Sequence, residues 1–412
     1  MILMLSIEKK ILIFFTFFLS LMISFHLGEN SSGGSKHDYL NTEIYINAFK
    51  IDFFSGLEIF KSRDEMHSPF FYIIVANLSK IFGDTFVKYF YLIISSLIPL
   101  IFYMSLKKKF LRTNFDYLFF LSLLIFLSPY FRSSAVWLTT DNLALLFFLL
   151  SINSFLKFEI SKNNFIRDAI FCFIFLILAS YVRYYYSIFF LLFFFMMQKK
   201  LNFKENLFII LFNSILSVPV ILYFLYIIDD ESLEQSFHYV GVDFVFNILV
   251  FTSLFLFYFI PFTFNSYGIE YFKKKFFIKK KAFLLSISLS LLIYVFYNIP
   301  ITSFGGGVFY KISEIFHSKL FYIFAFFGLL FLVIYNENNF KNYFIYIILI
   351  IMFPLNIIYQ KYYDPLIYIL ILTLIDSKFV NELIKGKNFK ILIVFGYYLA
   401  FLIGSNLYYH FT

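Results

Sequence analysis

The sequence predicts an all-α fold: a polytopic membrane helix bundle of about 11–13 transmembrane helices with a long first external loop. Three observations carry that expectation. Of 412 residues, 61% are hydrophobic and 25% aromatic against 14% charged, too little polar surface to coat a water-soluble globule. Apolar runs recur from end to end, with charge confined to short stretches between them. Those runs are continuous rather than alternating, which disfavours a closed β-barrel.

Taken in order, the first expected span covers residues 11–28, behind Glu8, Lys9 and Lys10, and reads as a signal anchor because further spans follow. The later expected spans are 86–106, 115–130, 142–156, 168–182, 184–197, 206–228, 243–262, 282–298, 320–335, 343–359, 366–376 and 391–409. Roughly 20 residues at about 1.5 Å each cross a hydrocarbon core. Segments 168–182, 184–197 and 366–376 are short for that and are expected to be partial or packed against neighbours. Residues 69–83 cannot form a full span without inverting everything after them, so a surface or half-buried helix is expected there.

Alternating these spans places residues 8–10, 107–112, 157–167, 198–205, 263–281, 336–342 and 377–390 on one side, with about two thirds of the 34 Lys and Arg residues. The run Lys107 to Lys109 and the Lys triplets at 273–275 and 279–281 all fall there, so that side is expected to be cytoplasmic, with the amino terminus inside. The net charge of +9 is thereby a matter of topology, and no nucleic-acid partner is expected. No internal repeat stands out, so residues 1–412 are expected to form a single membrane domain, with 29–85 as the first external loop and its juxtamembrane helices. Cys172 stands alone inside a span, which excludes an intramolecular disulfide and a zinc cluster.

Polar chemistry concentrates on the other side. The stretch from Glu29 to Ser68 carries His37, Asp38, Glu43, Asp52, Glu58, Asp64, Glu65 and His67 in a chain otherwise poor in acids and histidines. Asp38 follows the first span closely enough to serve as a general base near the interface. Asp64, Glu65 and His67, just before Pro69, are donor types suited to a divalent cation such as Mg or Mn. Asp141 opens a span after Trp137, with a helix cap as its structural alternative. Arg183 ends a span, and Lys311 and Lys361 stand at later ones; they suit phosphate contacts or simple interfacial anchoring. Gly305 to Gly307 precede Tyr310 and Lys311, where the backbone is free to approach a ligand or merely to turn.

The order of these features resembles the GT-C superfamily of membrane glycosyltransferases, which take a sugar from a polyprenyl-phosphate carrier on the outer face. In that superfamily the first external loop carries an essential acidic residue near its start, and Asp38 matches it. Many members follow with a His-Pro-Pro-like or Thr-Pro-Pro-like element, to which His67-Ser68-Pro69-Phe70-Phe71-Tyr72 is similar in degenerate form. Asp141 corresponds to an acidic residue of the second external loop, and Arg183 within Ala179 to Tyr184 stands at an outward span end. Gln360-Lys361-Tyr362-Tyr363-Asp364-Pro365 resembles the Arg-Tyr-Tyr element of the dolichyl-phosphate-glucose glucosyltransferases, with Lys361 in place of Arg.

The resemblance implies an inverting glycosyltransferase with a polyprenyl-phosphate-linked sugar donor and a glycan or lipid acceptor. It implies Asp38 and Asp141 as catalytic residues, and Asp64, Glu65, His67, Arg183, Lys311, Lys361 and Asp364 as substrate-binding residues. A divalent cation is the one cofactor expected, and no nucleotide cofactor. The heavy use of Phe, Ile, Lys and Asn suggests an AT-rich genome and a bacterial inner membrane. The alternatives are a lipid-linked sugar flippase or transporter, for which midplane charges and repeats are expected, and an O-antigen polymerase, whose largest external loop typically comes later in the chain. A Gly-x-x-x-x-Gly-Lys-Ser/Thr loop, a His-Glu-x-x-His motif and a Gly-x-Ser-x-Gly elbow are all missing, which argues against ATP-driven transport, zinc proteolysis and acyl transfer.

Overall fold

A computed structural model describes residues 5–63, 68–111, 113–161, 165–226, 243–299, 305–353, 358–385 and 390–411. Among them every regular element is helical. Seven helices are long and apolar enough to cross a membrane, and a bent pair makes a possible eighth, so the chain is a multi-pass integral membrane protein.

The helices form two compact units. The first holds α1 (Ile7–Leu27), α2 (Ser35–Ile51), α3 (Phe53–Ser62), α4 (Phe70–Phe82), α5 (Asp84–Lys109), α6 (Phe115–Leu123), α7 (Pro129–Val136), α8 (Thr140–Ile160), α9 (Phe165–Val182), α10 (Phe189–Met197) and α11 (Phe203–Tyr226). The second holds α12 (Phe244–Thr263), α13 (Ser266–Ile278), α14 (Lys280–Phe296), α15 (Val308–Phe316), α16 (Leu320–Tyr335), α17 (Phe340–Ile351), α18 (Leu366–Thr373) and α19 (Lys378–Lys385). The last helix, α20, is Ile391–Phe411; its residues from Tyr398 onward belong to the first unit and the preceding ones to the second.

In the first unit α5, α8 and α9 pack side by side as the core. Ser151 of α8 donates to the Cys172 carbonyl of α9 at 2.8 Å, and Cys172 is fully buried. Phe148 and Phe155 of α8 meet the rings of Phe189 and Phe193. α1 stands outside this core with most of its surface open to lipid.

The segment expected as one straight span over 115–130 is instead bent by 64° between 115–127 and α7. The cause is local: Pro129 has no N–H to continue the ladder, and the Ser128 hydroxyl accepts from Phe131 N at 3.0 Å, starting a new helix. Residues 29–63 fold as α2 and α3, broken where Asp52 turns extended and its carboxylate accepts from Phe54 N and Ser55 N at 2.8 and 2.9 Å. α2 buries Tyr39, Thr42, Tyr45, Ile46 and Phe49, a face set by helical spacing. α4, within the 69–83 segment, is a 13-residue apolar helix with one buried face, too short to cross a bilayer alone.

The core of the second unit is α12, which is buried on nearly all sides. It lies so close to α16 that a Cβ added at Gly328 would collide with the Thr252 carbonyl. Helix backbones that approach this closely need a residue without a side chain at the crossing.

Candidate functional site

At one end of the first unit, α1, α7, α8 and α9, the first turn of α2 and the first half of α5 bring polar side chains together. α1 stops at Gly28, whose φ of 63° gives the left-handed C-cap, and the chain leads directly into Glu29. Arg132 of α7 meets Glu29 in a fork: Nε lies 3.0 and 3.1 Å from the two carboxylate oxygens, and Nη2 lies 2.9 Å from Oε2. The other donors of Arg132 reach Ser20 Oγ, Ser20 O and Phe126 O at 3.2 Å, and the Ser24 hydroxyl. Burial pushes the Glu29 carboxyl toward its neutral form, but the guanidinium of Arg132 with the Ser24 and Ser31 hydroxyls outweighs it, so the pKa lies below the ordinary value. Trp137 donates its indole N–H to the Glu29 carbonyl at 2.8 Å, tying the end of α7 to the same point.

Between α7 and α8 the chain passes through Leu138, the one described non-glycine residue with positive φ, at 49°. That conformation costs a bulky side chain about 1–2 kcal/mol, so the surroundings must enforce it. They do so with hydrogen bonds on both sides. Thr139 donates to Ser134 Oγ at 2.8 Å and to Asp141 Oδ2 at 3.2 Å, and the Tyr91 hydroxyl of α5 donates to the Thr139 carbonyl. Asn142 reaches Ser95 Oγ at 3.2 Å and Phe131 O at 3.0 Å.

The product of this bracing is Asp141 in the first turn of α8, facing Arg183 just past the end of α9, with Oδ1 and Nη2 2.8 Å apart. Their side chains keep 21% and 11% of their exposure. Each stands where the helix dipole favours its charge, carboxylate at an N-terminus and guanidinium at a C-terminus. The structure thus joins two residues that the sequence offered separately.

Asp38 lies in the first turn of α2, half-buried, on the flank of the face that holds Tyr39. Tyr39 packs on Trp137 with ring centroids 6.1 Å apart, so Asp38 and the α7–α8 link are neighbours through one aromatic contact. Asp64, Glu65 and His67 lie outside the described residues.

In the second unit the glycine run and the Gln360 to Asp364 segment come together. Gly305, Gly306 and Gly307 have φ of 84°, 76° and 84°, open only to residues without a Cβ. Gly306 N donates to Ile358 O at 2.7 Å, and the Gln360 side chain accepts from Val308 N at 2.9 Å while donating to the Tyr258 hydroxyl at 3.0 Å. Gln360 therefore caps α15 and fixes Lys361 and Asp364 beside it, a structural role that only the contacts reveal. Lys361 Nζ lies 5.4 and 5.7 Å from the ring centroids of Tyr359 and Tyr362, and Asp364 is buried. Lys311 is held by Glu314 at 2.9 Å.

Among the described residues no three His, Cys, Asp or Glu side chains gather as a metal site. What sequence reasoning left out is the pairing partner of each charge. Glu29 and Arg132 are 103 positions apart, and no local pattern marks them as a pair. Comparison of the chain with protein-family models, with curated proteins and with solved structures finds no match in any of the three.

Proposed function

We propose that this protein is an inverting glycosyltransferase that moves a sugar from a polyprenyl-phosphate donor to a lipid-linked or surface glycan acceptor at the outer face of a bacterial inner membrane. The observation that carries the reading is the Asp141–Arg183 pair at the meeting of two span ends, one helical turn from a strained link and beside the only cluster of loop helices described in the first unit. On the charge distribution of the sequence, that end is the outer one.

The chemistry assigned to the site is displacement at the anomeric carbon. The acceptor hydroxyl attacks that carbon, its proton passes to a carboxylate, and the bond from carbon to phosphate oxygen breaks with its electrons staying on the departing lipid phosphate. Asp38, half-buried near the start of its helix, is the base. Arg183 meets the phosphate, for which a planar guanidinium suits bidentate contact, and Asp141 holds it in place. Lys311, Lys361 and the buried Asp364 are assigned to lipid-linked phosphate or sugar hydroxyls in the second unit. Asp64, Glu65 and His67, the residues whose donor types suit a divalent cation, lie outside the described residues, and no step here is routed through a metal.

The test is transfer of labelled sugar from polyprenyl-phosphate donors to lipid-extracted acceptors by the purified protein, with Asp38→Asn and Asp141→Asn as variants. Transfer by wild type and its loss in both variants is the expected result. No transfer with any donor, together with movement of lipid-linked sugar across liposomes, would replace the enzyme with a flippase.

A further inference from the structure

In the second unit the chain turns sharply between α12 and α13. A Cβ added at Gly268 would come within 2.5 Å of the Thr263 carbonyl oxygen, and the Asn265 side chain accepts from Gly268 N at 2.7 Å. The turn lays an aromatic face of α13 against the end of α16 and the start of α19. Tyr267 and Tyr271, one helical turn apart, stack on Phe379 and Tyr335 with ring centroids 5.6 and 5.8 Å apart, and the Tyr335 hydroxyl donates to the Gly268 carbonyl at 3.1 Å. Lys279, just before α14, donates to Val333 O and Asn336 O at 2.6 and 3.0 Å, which fixes the corner between α13 and α14 on the end of α16.

The outward side of this corner is basic and apolar at once. Lys273 and Lys274 are exposed, and one turn further on Phe277 and Ile278 keep 78% and 67% of their exposure. Lys280 and Lys281 are exposed in the first turn of α14, where no acidic residue stands. Beyond Lys281, at helical spacing, Leu285, Leu289 and Leu292 form one exposed stripe along α14. None of the ion pairs among the described residues takes up Lys273, Lys274, Lys280 or Lys281, and Glu270 is the one acid on α13.

Ammonium groups gathered in this way repel one another, and a shared anion relieves the repulsion. The apolar residues beside them choose its kind. A soluble phosphate or an acidic polypeptide leaves Phe277, Ile278 and the leucine stripe uncovered, whereas a phospholipid carries an anionic phosphate directly above acyl chains, the same order as Lys281 above the leucines.

We propose that the corner between α13 and α14 binds an anionic phospholipid, with its phosphate on Lys273, Lys274, Lys280 and Lys281 and an acyl chain along Leu285, Leu289 and Leu292. Lysine stems alone reach any headgroup; the uncompensated charge of this corner selects a negative one.

For the test, purified full-length protein stripped of lipid is equilibrated with detergent micelles carrying phosphatidylglycerol and phosphatidylcholine of the same chains. It is then recaptured and its bound lipids are quantified by mass spectrometry. Phosphatidylglycerol is expected to be retained roughly tenfold or more over phosphatidylcholine, since each lysine near an anionic lipid surface contributes about fivefold. Lys273→Gln/Lys274→Gln/Lys280→Gln/Lys281→Gln should lose that preference, and the same positions changed to Arg should keep it. Lys9→Gln/Lys199→Gln/Lys204→Gln/Lys390→Gln, at exposed lysines elsewhere with the same loss of charge, should leave it unchanged. Salt at about 1 M, which screens charges beyond roughly 3 Å, should remove the preference from the wild type itself.

Equal retention of the two lipids by wild type, a preference that survives in the first glutamine variant or in high salt, or one lost equally in the second variant overturns the site. Displacement of phosphatidylglycerol by equimolar inorganic phosphate overturns it in favour of a site for the anion alone. Displacement by polyglutamate overturns it in favour of a protein-docking surface.

Discussion

Removing the carboxylate of Glu29 tests how the site-bearing end of the first unit is held. In Glu29→Ala the three N–H contacts from Arg132 at 2.9–3.1 Å lose their acceptor, while the guanidinium stays buried with a side-chain exposure of 7%. Breaking one partner out of a buried pair costs about 3–5 kcal/mol. Arg132 keeps Ser20, Ser24 and Phe126 as neutral acceptors, which places the loss at the lower end, about 3 kcal/mol. For a unit of this size that corresponds to a fall in Tm of roughly 6–12 °C, measured by thermal melting of the purified protein in detergent. The double variant Glu29→Ala/Arg132→Met is expected to recover at least half of the loss, because no charge is then left buried.

Acid is expected to act in the same direction. The Glu29 carboxyl is held below its unfolded value of 4.5, so its contribution is complete above that pH and is lost as pH falls toward the lower folded value. The wild-type Tm should therefore fall more steeply below pH 4.5 than that of the double variant. A drop of less than about 2 °C in Glu29→Ala, or a double variant destabilised by the sum of the two single changes, would refute the pairing as the source of the stability.

Three further outcomes are expected. Arg183→Lys keeps the charge but loses the planar fork facing Asp141, and sugar transfer should fall by roughly 100-fold in kcat with protein yield unchanged, measured in the labelled-sugar assay. Gly328→Ala places a methyl group against the Thr252 carbonyl, where neither helix backbone can yield, and should destabilise the second unit by about 1–3 kcal/mol, read as protease sensitivity in residues 243–397. Gln360→Ala removes the cap on Val308 N and the donor to Tyr258, and should cost about 1–2 kcal/mol by the same readout.

The fold was legible where one dominant period ran long enough to decide it. The expected span at 243–262 falls on Phe244–Thr263, and that at 320–335 on Leu320–Tyr335, because continuous apolar runs bounded by polar residues leave no other helix register. The bend at Ser128-Pro129 was less visible. Apolar composition continues across it, and only the proline and the preceding serine signal that one span becomes two segments. In the candidate site, residue types were readable and pairings were not. Asp141 and Arg183 each stood out as charges at span ends, but their contact depends on how α8 packs against α9. Leu138 carried no sequence signal at all, since a left-handed backbone at leucine is imposed by its neighbours.

The bond between Arg132 and the first helix also bears on how the chain is made. Ser20 lies seven residues before the end of α1, about 10 Å along its axis, so Arg132 holds α1 at membrane depth as well as at its rim. At its other end α1 is tied by the Lys10–Asp116 ion pair at 2.7 Å, and Phe14 and Phe17 pack on Phe126 between the two. Until residues 129–136 have followed it into the bilayer, Glu29 has no guanidinium to meet, and Arg132 in turn cannot rest in lipid without α1 alongside. The two segments are therefore expected to leave the insertion machinery as partners, with the first helix retained at its exit until the bent pair arrives.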